Sequence, residues 1–152
     1  MSTQTSPIPV VLVGIHTEIG EPVSAGLRPD FDVIRFIQTF AAAQSDLPHL
    51  LQGKEPPTAP TNSVGSGDYS HGPARAVLFG RGFSQQQAEE LYNANKDIEG
   101  VVWIAGEEAK RPKDVKDIQN PPPGTDKVIV PIFKGLLEKW VKEGGKGGLL
   151  LY

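Results

Sequence analysis

The sequence contains no cysteine, which excludes disulfides, thiolate nucleophiles, iron–sulfur clusters and zinc–thiolate centres together. It has no Asn-x-Ser/Thr acceptor for glycosylation. An excess of basic residues is also missing. With 15 Lys and Arg against 18 Asp and Glu, the formal charge is −3, so no electrostatic footprint points to nucleic acid or an anionic membrane. No apolar run approaches the roughly 20 residues that a membrane helix needs; Ile8 to Val13 is far shorter. The opening MSTQTSP lacks the basic residues of a targeting segment, and Ser2 excludes N-myristoylation. These absences lead to the expectation of a cytoplasmic protein with neither a membrane nor a nucleic-acid partner.

Several chemistries are missing as motifs too. His16, His49 and His71 are widely separated and form no H-x-x-x-H pair, so no metal site is expected. There is no G-x-S-x-G elbow and no Walker A lysine, which disfavours α/β-hydrolase and P-loop chemistry. Asp30 and Asp32 fall near the start of a strand, the wrong end for a receiver-type phosphoacceptor.

What is present is a regular alternation. Residues 9–14 (PVVLVG) form a continuous β-branched run ending in glycine, the pattern of a strand buried on both faces of a parallel sheet. Residues 31–37 (FDVIRFI), 75–80 (RAVLFG) and 100–105 (GVVWIA) repeat the pattern, and 148–152 (GLLLY) is a candidate fifth strand at the edge. Between them lie helix signals. Thr17 is placed to cap a helix reaching Leu27, with Glu18 and Glu21 in its first turn. Thr39 precedes FAAAQSDLPHLL, where Pro48 is expected to kink or divide the helix. Ser84 and Gln87 have the spacing of a capping box opening a helix through Asn95. Ile129, Ile132, Phe133, Leu136, Leu137 and Trp140 recur at steps of three and four, the mark of an amphipathic helix laid on a sheet. Gly144-Gly145 stops that helix. Residues 53–74 and 107–124 read as two long loops within one domain over 1–152.

Strand–helix alternation of this kind implies right-handed βαβ units in an α/β three-layer sandwich with a mostly parallel sheet of about five strands. The order is either Rossmann-like or flavodoxin-like, and both place ligands at the carboxyl ends of the strands. The expected rim therefore comprises 14–20, Gln38-Thr39, 80–84 and 105–107. On it, Gly14, Thr17, Gly20, Gly80, Arg81 and Ser84 are the candidate ligand-binding residues. Arg81 is suited to a carboxylate or phosphate, or alternatively to a salt bridge with Glu107 or Glu108. His16, with Glu18 or Glu21 as orienting carboxylate, is the candidate general base. His49, between leucines, is read as a packing residue. His71 with Asp68 and Tyr69 forms either a polar lid over the rim or a set of turn residues.

The stretch VLVGIHTEIGEPVSAGL resembles the opening of NAD(P)-binding Rossmann proteins, particularly the dehydrogenase/epimerase group with its G-x-x-G-x-x-G turn. Gly14 and Gly20 match the outer glycines and Thr17 stands at the middle one. The resemblance implies a Rossmann-like domain and NAD(P) as cofactor. Strand two ends in Phe36-Ile37-Gln38-Thr39, without the acidic residue with which that family holds the adenosine ribose. The reading favoured for the two glycines is that they permit tight strand–helix packing. Tyr92 and Lys96 have the Tyr-x-x-x-Lys spacing of short-chain dehydrogenases, but follow strand three, one βα unit early. The GxHxxxG turn and long middle loop are also similar to those of small fungal Rossmann-like proteins with no established activity. Two functions remain open from sequence: binding of a small anionic or nucleotide-like ligand, with acid–base chemistry at His16, or a scaffold that self-associates as a homodimer through a sheet edge or the Trp140 helix.

Overall fold

A computed structural model describes residues 7–110 and 124–152. Much of the expected second loop lies outside the described residues. Five parallel strands form one sheet in the order β2-β1-β3-β4-β5, where β1 is Ile8–Val13, β2 Phe31–Ile37, β3 Ala76–Phe79, β4 Val102–Ala105 and β5 Gly148–Leu151. This is the flavodoxin-like member of the two orders left open. Among the described residues, four α-helices connect them: α1 (Thr17–Leu27), α2 (Phe40–Leu50), α3 (Gln85–Asn95) and α4 (Thr125–Lys142). The α/β three-layer sandwich is therefore realised.

Strand alternation divides the interior in two. Val11, Val13, Val77, Phe79, Trp103 and Ala105 turn toward α2 and α3. Val10, Leu12, Ala76, Leu78, Val102 and Ile104 turn toward α1 and α4. A bulge interrupts the β1–β2 register between Val10 and Val11, which pair with Val33 and Arg35 and leave Ile34 extra. The parity of β2 shifts there. Phe31, Val33 and Phe36 meet α1, whereas Ile34 and Ile37 meet α2.

Local signals set the helix ends. Thr39 accepts from the Ala42 N–H at 3.1 Å, and Ser84 and Gln87 make the reciprocal capping box. The cap of α1 falls on His16 rather than Thr17, which is the first helical residue. Pro48 sits in the last turn of α2, and the helix runs through it to Leu50. After α4, Gly144 donates to the Val141 carbonyl and Gly145 to that of Trp140, both glycines having positive φ, which is a Schellman stop. His49 is exposed, because Leu47 and Leu50 take the inward positions of α2.

The first three crossovers share one hand. The chain moves leftward from β1 to β2 through α1 on one face, and rightward through α2 and α3 on the opposite face, which amounts to the same hand three times. From β4 to β5 it again moves rightward, and the helix that precedes β5, α4, lies on the α1 face. The burial pattern supplies the reason. With α2 and α3 already covering one face, Leu78, Val102 and Ile104 on the other would be bare unless Phe133, Leu137 and Trp140 packed over them.

The loop at 53–74 runs along the outer edge of β2. Ser66 and Gly67 donate to the carbonyls of Val33 and Ile34, and the Asn62 amide to that of Phe36. Arg35, buried within β2, ties it down by donating to the Thr58 carbonyl at 2.8 Å, while Thr58 donates to Asp46 at 2.6 Å. This loop closes a sheet edge and contributes nothing to the rim cavity described below.

Candidate functional site

Strand order 2-1-3-4-5 reverses direction between β1 and β3, and a crevice at such a switch point is where open α/β sheets take ligands. A cavity of about 470 Å³ lies there. Its mouth is formed by Gly14, Ile15 and His16 after β1, Gly80, Arg81 and Gly82 after β3, and Thr125 and Val128 at the start of α4. Its walls are apolar: Ile19 and Val23 of α1, Phe36 of β2, Ile129, Ile132 and Phe133 of α4, and Tyr152. Ile15 and Val128, large aliphatic residues at the mouth, are 44% and 65% exposed. The chamber exists because α4 packs beside α1 on one face of the sheet, over the switch point.

The glycine turn is shaped by Phe36. A Cβ on Gly20 would lie 2.8 to 3.0 Å from three carbons of the Phe36 ring, and one on Gly14 would lie 3.2 Å from it. Neither glycine has positive φ. Both therefore admit an aromatic ring from the neighbouring strand, which agrees with the packing alternative. Gly82 likewise makes room for Ile15, whose Cδ1 would lie 2.6 Å from an added Cβ.

Of the residues singled out in the sequence, Gly14, His16, Gly20, Gly80 and Arg81 line the cavity; Thr17 and Ser84 do not. Ser84 is occupied in capping α3. Arg81 donates to the backbone oxygens of Glu107 at 3.1 Å and Tyr152 at 3.2 Å, and its guanidinium stacks 4.9 Å from the Tyr152 ring centre. It thus holds the end of β4 to the residue following β5, and reaches carbonyls rather than the carboxylates of Glu107 or Glu108. Tyr152 is fixed further by its hydroxyl, which donates to the Phe79 carbonyl at 2.8 Å, and by edge-on contact with Phe133. His16 Nδ1 lies 3.3 Å from Glu18 Oε1, so the carboxylate that faces it is Glu18.

Two helix amino ends converge on the mouth. Their N-cap residues, His16 for α1 and Gly124 for α4, make no side-chain capping bond, in contrast to Thr39 and Ser84. Their N–H groups and dipoles favour negative charge.

Other sequence candidates lie elsewhere. Tyr92 packs against Trp103 in the α2/α3 layer, across the sheet from the cavity, so it and Lys96 do not reach the site. Asp68 accepts from the Ser70 N–H and lies 3.2 Å from His71, forming a turn rather than a lid. The hydrogen bonds from Ser70, with His71 adding to them, hold the Asp68 carboxyl below the ordinary aspartate value. Among the described residues no cluster of His, Asp or Glu could hold a metal, and no helix is long and apolar enough to cross a membrane.

Phe36, Val128, Ile129, Ile132 and Tyr152 were not singled out as site residues. Their signal was available in part: Val128 and Ile132 widen the apolar stripe of α4 beyond what Phe133, Leu137 and Trp140 need to cover the sheet.

A curated protein of Aspergillus oryzae (strain ATCC 42149 / RIB 40), Kojic acid related protein 6, is 28% identical over 142 residues, covering 91% of this chain and 80% of its own length. No family model matches the chain. No solved structure matches it.

Proposed function

We propose that the chain binds a small molecule with a largely apolar body and one anionic group in the cavity between α1 and α4. The observation that carries this reading is the chamber itself, about 470 Å³ with apolar walls and exposed Ile15 and Val128 at its mouth, at the switch point of the sheet. Aliphatic side chains left exposed around a concavity are better explained by a ligand that covers them than by folding alone. The anionic group belongs at the mouth, where the amino ends of α1 and α4 and the cationic Arg81 converge. A nucleotide is the poorer fit, since Phe36 fills the space beside the glycine turn and the walls offer little to a ribose or pyrophosphate. His16, beside Glu18 at the same mouth, is the residue placed to take a proton from the bound molecule.

The test is a thermal-shift panel of benzoate, cinnamate and octanoate against NAD(H), NADP(H) and ATP. The name of the Aspergillus oryzae relative adds kojic acid, a small planar hydroxypyranone, to that panel. A ligand present at a hundred times its Kd stabilises by about 2.7 kcal/mol. For a domain of this size that is a rise in Tm of roughly 5–10 °C. Val128→Trp, a change at an exposed position, should block the mouth and abolish the rise while leaving the unliganded melt in place. A rise that survives in Val128→Trp, or none with any carboxylate, would refute the reading; a rise with dinucleotides alone would restore the cofactor implied by the glycine turn.

A further inference from the structure

The two edges of the sheet are treated differently. The β2 edge is covered by the loop at 53–74, which bonds to the carbonyls of Val33, Ile34 and Phe36. At the other edge, Gly148 and Tyr152 donate inward to Val101 and Ala105, so the alternate residues Leu149 and Leu151 turn their N–H and C=O groups outward. Among the described residues nothing bonds to them. The strand is Gly-Leu-Leu-Leu, with no charge, proline or bulge to blunt it, and Leu150 and Leu151 are 38% and 36% exposed.

Beside this strand, on the α4 face, lies a groove of about 390 Å³ with an apolar base of Val102, Leu136, Trp140 and Leu150. Lys139 and Glu143, one helical turn apart on the flank of α4, border it.

We infer that β5 is a self-association edge, pairing antiparallel with β5 of a second copy to make one continuous sheet. The occupant is a second copy because the surface is complementary to itself. A two-fold axis beside β5 sets the two α4 helices antiparallel on the same face of the joined sheet, so Lys139 of one copy faces Glu143 of the other, and the reverse. The same axis seats the exposed Leu150 of each copy against the groove of its mate. The inference is independent of the cavity, which lies between α1 and α4 at the other flank of that helix.

Light scattering on the full chain over a wide concentration range reads the outcome. The expected mass is twice 16.4 kDa. Leu151→Pro removes an outward N–H and leaves the inward ladder to β4 intact, so it should give a folded monomer, with the fold checked by circular dichroism. Lys139→Glu sets like charges across the axis twice and should raise the dimer Kd by about tenfold, whereas Lys139→Glu with Glu143→Lys restores the opposite charges and the wild-type Kd. A wild-type monomer at every concentration, a dimer indifferent to Leu151→Pro, or a charge swap that fails to restore association would each overturn the inference.

Discussion

Gly20→Ala separates a packing role for the glycine turn from a ligand-approach role. Taken alone, the substitution lies inside α1 and should stabilise the helix by about 1 kcal/mol. Against this, the new methyl group meets the Phe36 ring at 2.8 Å where 3.4 Å is ordinary contact, so the ring must retreat by about 0.6 Å, the difference of the two. Phe36 is 3% exposed, and overpacking of this kind costs about 1–3 kcal/mol. The net effect is a loss of roughly 0–2 kcal/mol, too close to zero to decide by itself. The decisive quantity is the sign change in a second background. In Phe36→Leu the ring is gone and only the helix gain remains, so Gly20→Ala should then stabilise by about 1 kcal/mol. The double-mutant cycle, measured by urea unfolding with both melts recorded, should show a coupling of about 1–3 kcal/mol, or roughly 2–12 °C in Tm. If Gly20→Ala stabilises equally in both backgrounds, Phe36 is not the reason for the glycine. Phe36 also lines the cavity, so a ring displaced into it should weaken carboxylate binding in the single variant.

Asp46→Ala removes the carboxylate that faces Arg35 and Thr58 in the interior and should cost about 3–5 kcal/mol by leaving a buried guanidinium unpaired. Limited proteolysis should then cut within 53–74, which that network ties down. Ser84→Ala should lose about 1 kcal/mol through the cap of α3, with the fold and the cavity unchanged. The Asp68 carboxyl, held low by Ser70, should titrate below an unstructured aspartate in a carbon-detected NMR titration, and Ser70→Ala should return it upward. Because a depressed carboxyl stabilises only while ionised, any contribution it makes is present above the unfolded value and lost as pH falls through the folded one. An Asp68 that titrates normally would refute the turn geometry.

The sequence by itself determined the segments and their local ends. The five strands fall where the β-branched runs predict, and the Thr39 cap, the Ser84–Gln87 box and the Gly144-Gly145 stop appear as read, because each depends on neighbours a few residues apart. The rim followed as well, since parallel strands fix which ends carry the loops. Only the tertiary structure decided the strand order, the bulge that turns both Ile34 and Arg35 toward α2, and the side of the sheet on which α4 lies. A stripe such as Phe133, Leu137 and Trp140 records that a helix must be covered and is silent about which face covers it; that depends on which face the other helices have left bare. The cavity inherits this dependence. Its mouth was legible in Gly14, His16 and Arg81, but its walls come from α1, β2, α4 and Tyr152, which meet only because α4 lies on the same face of the sheet as α1.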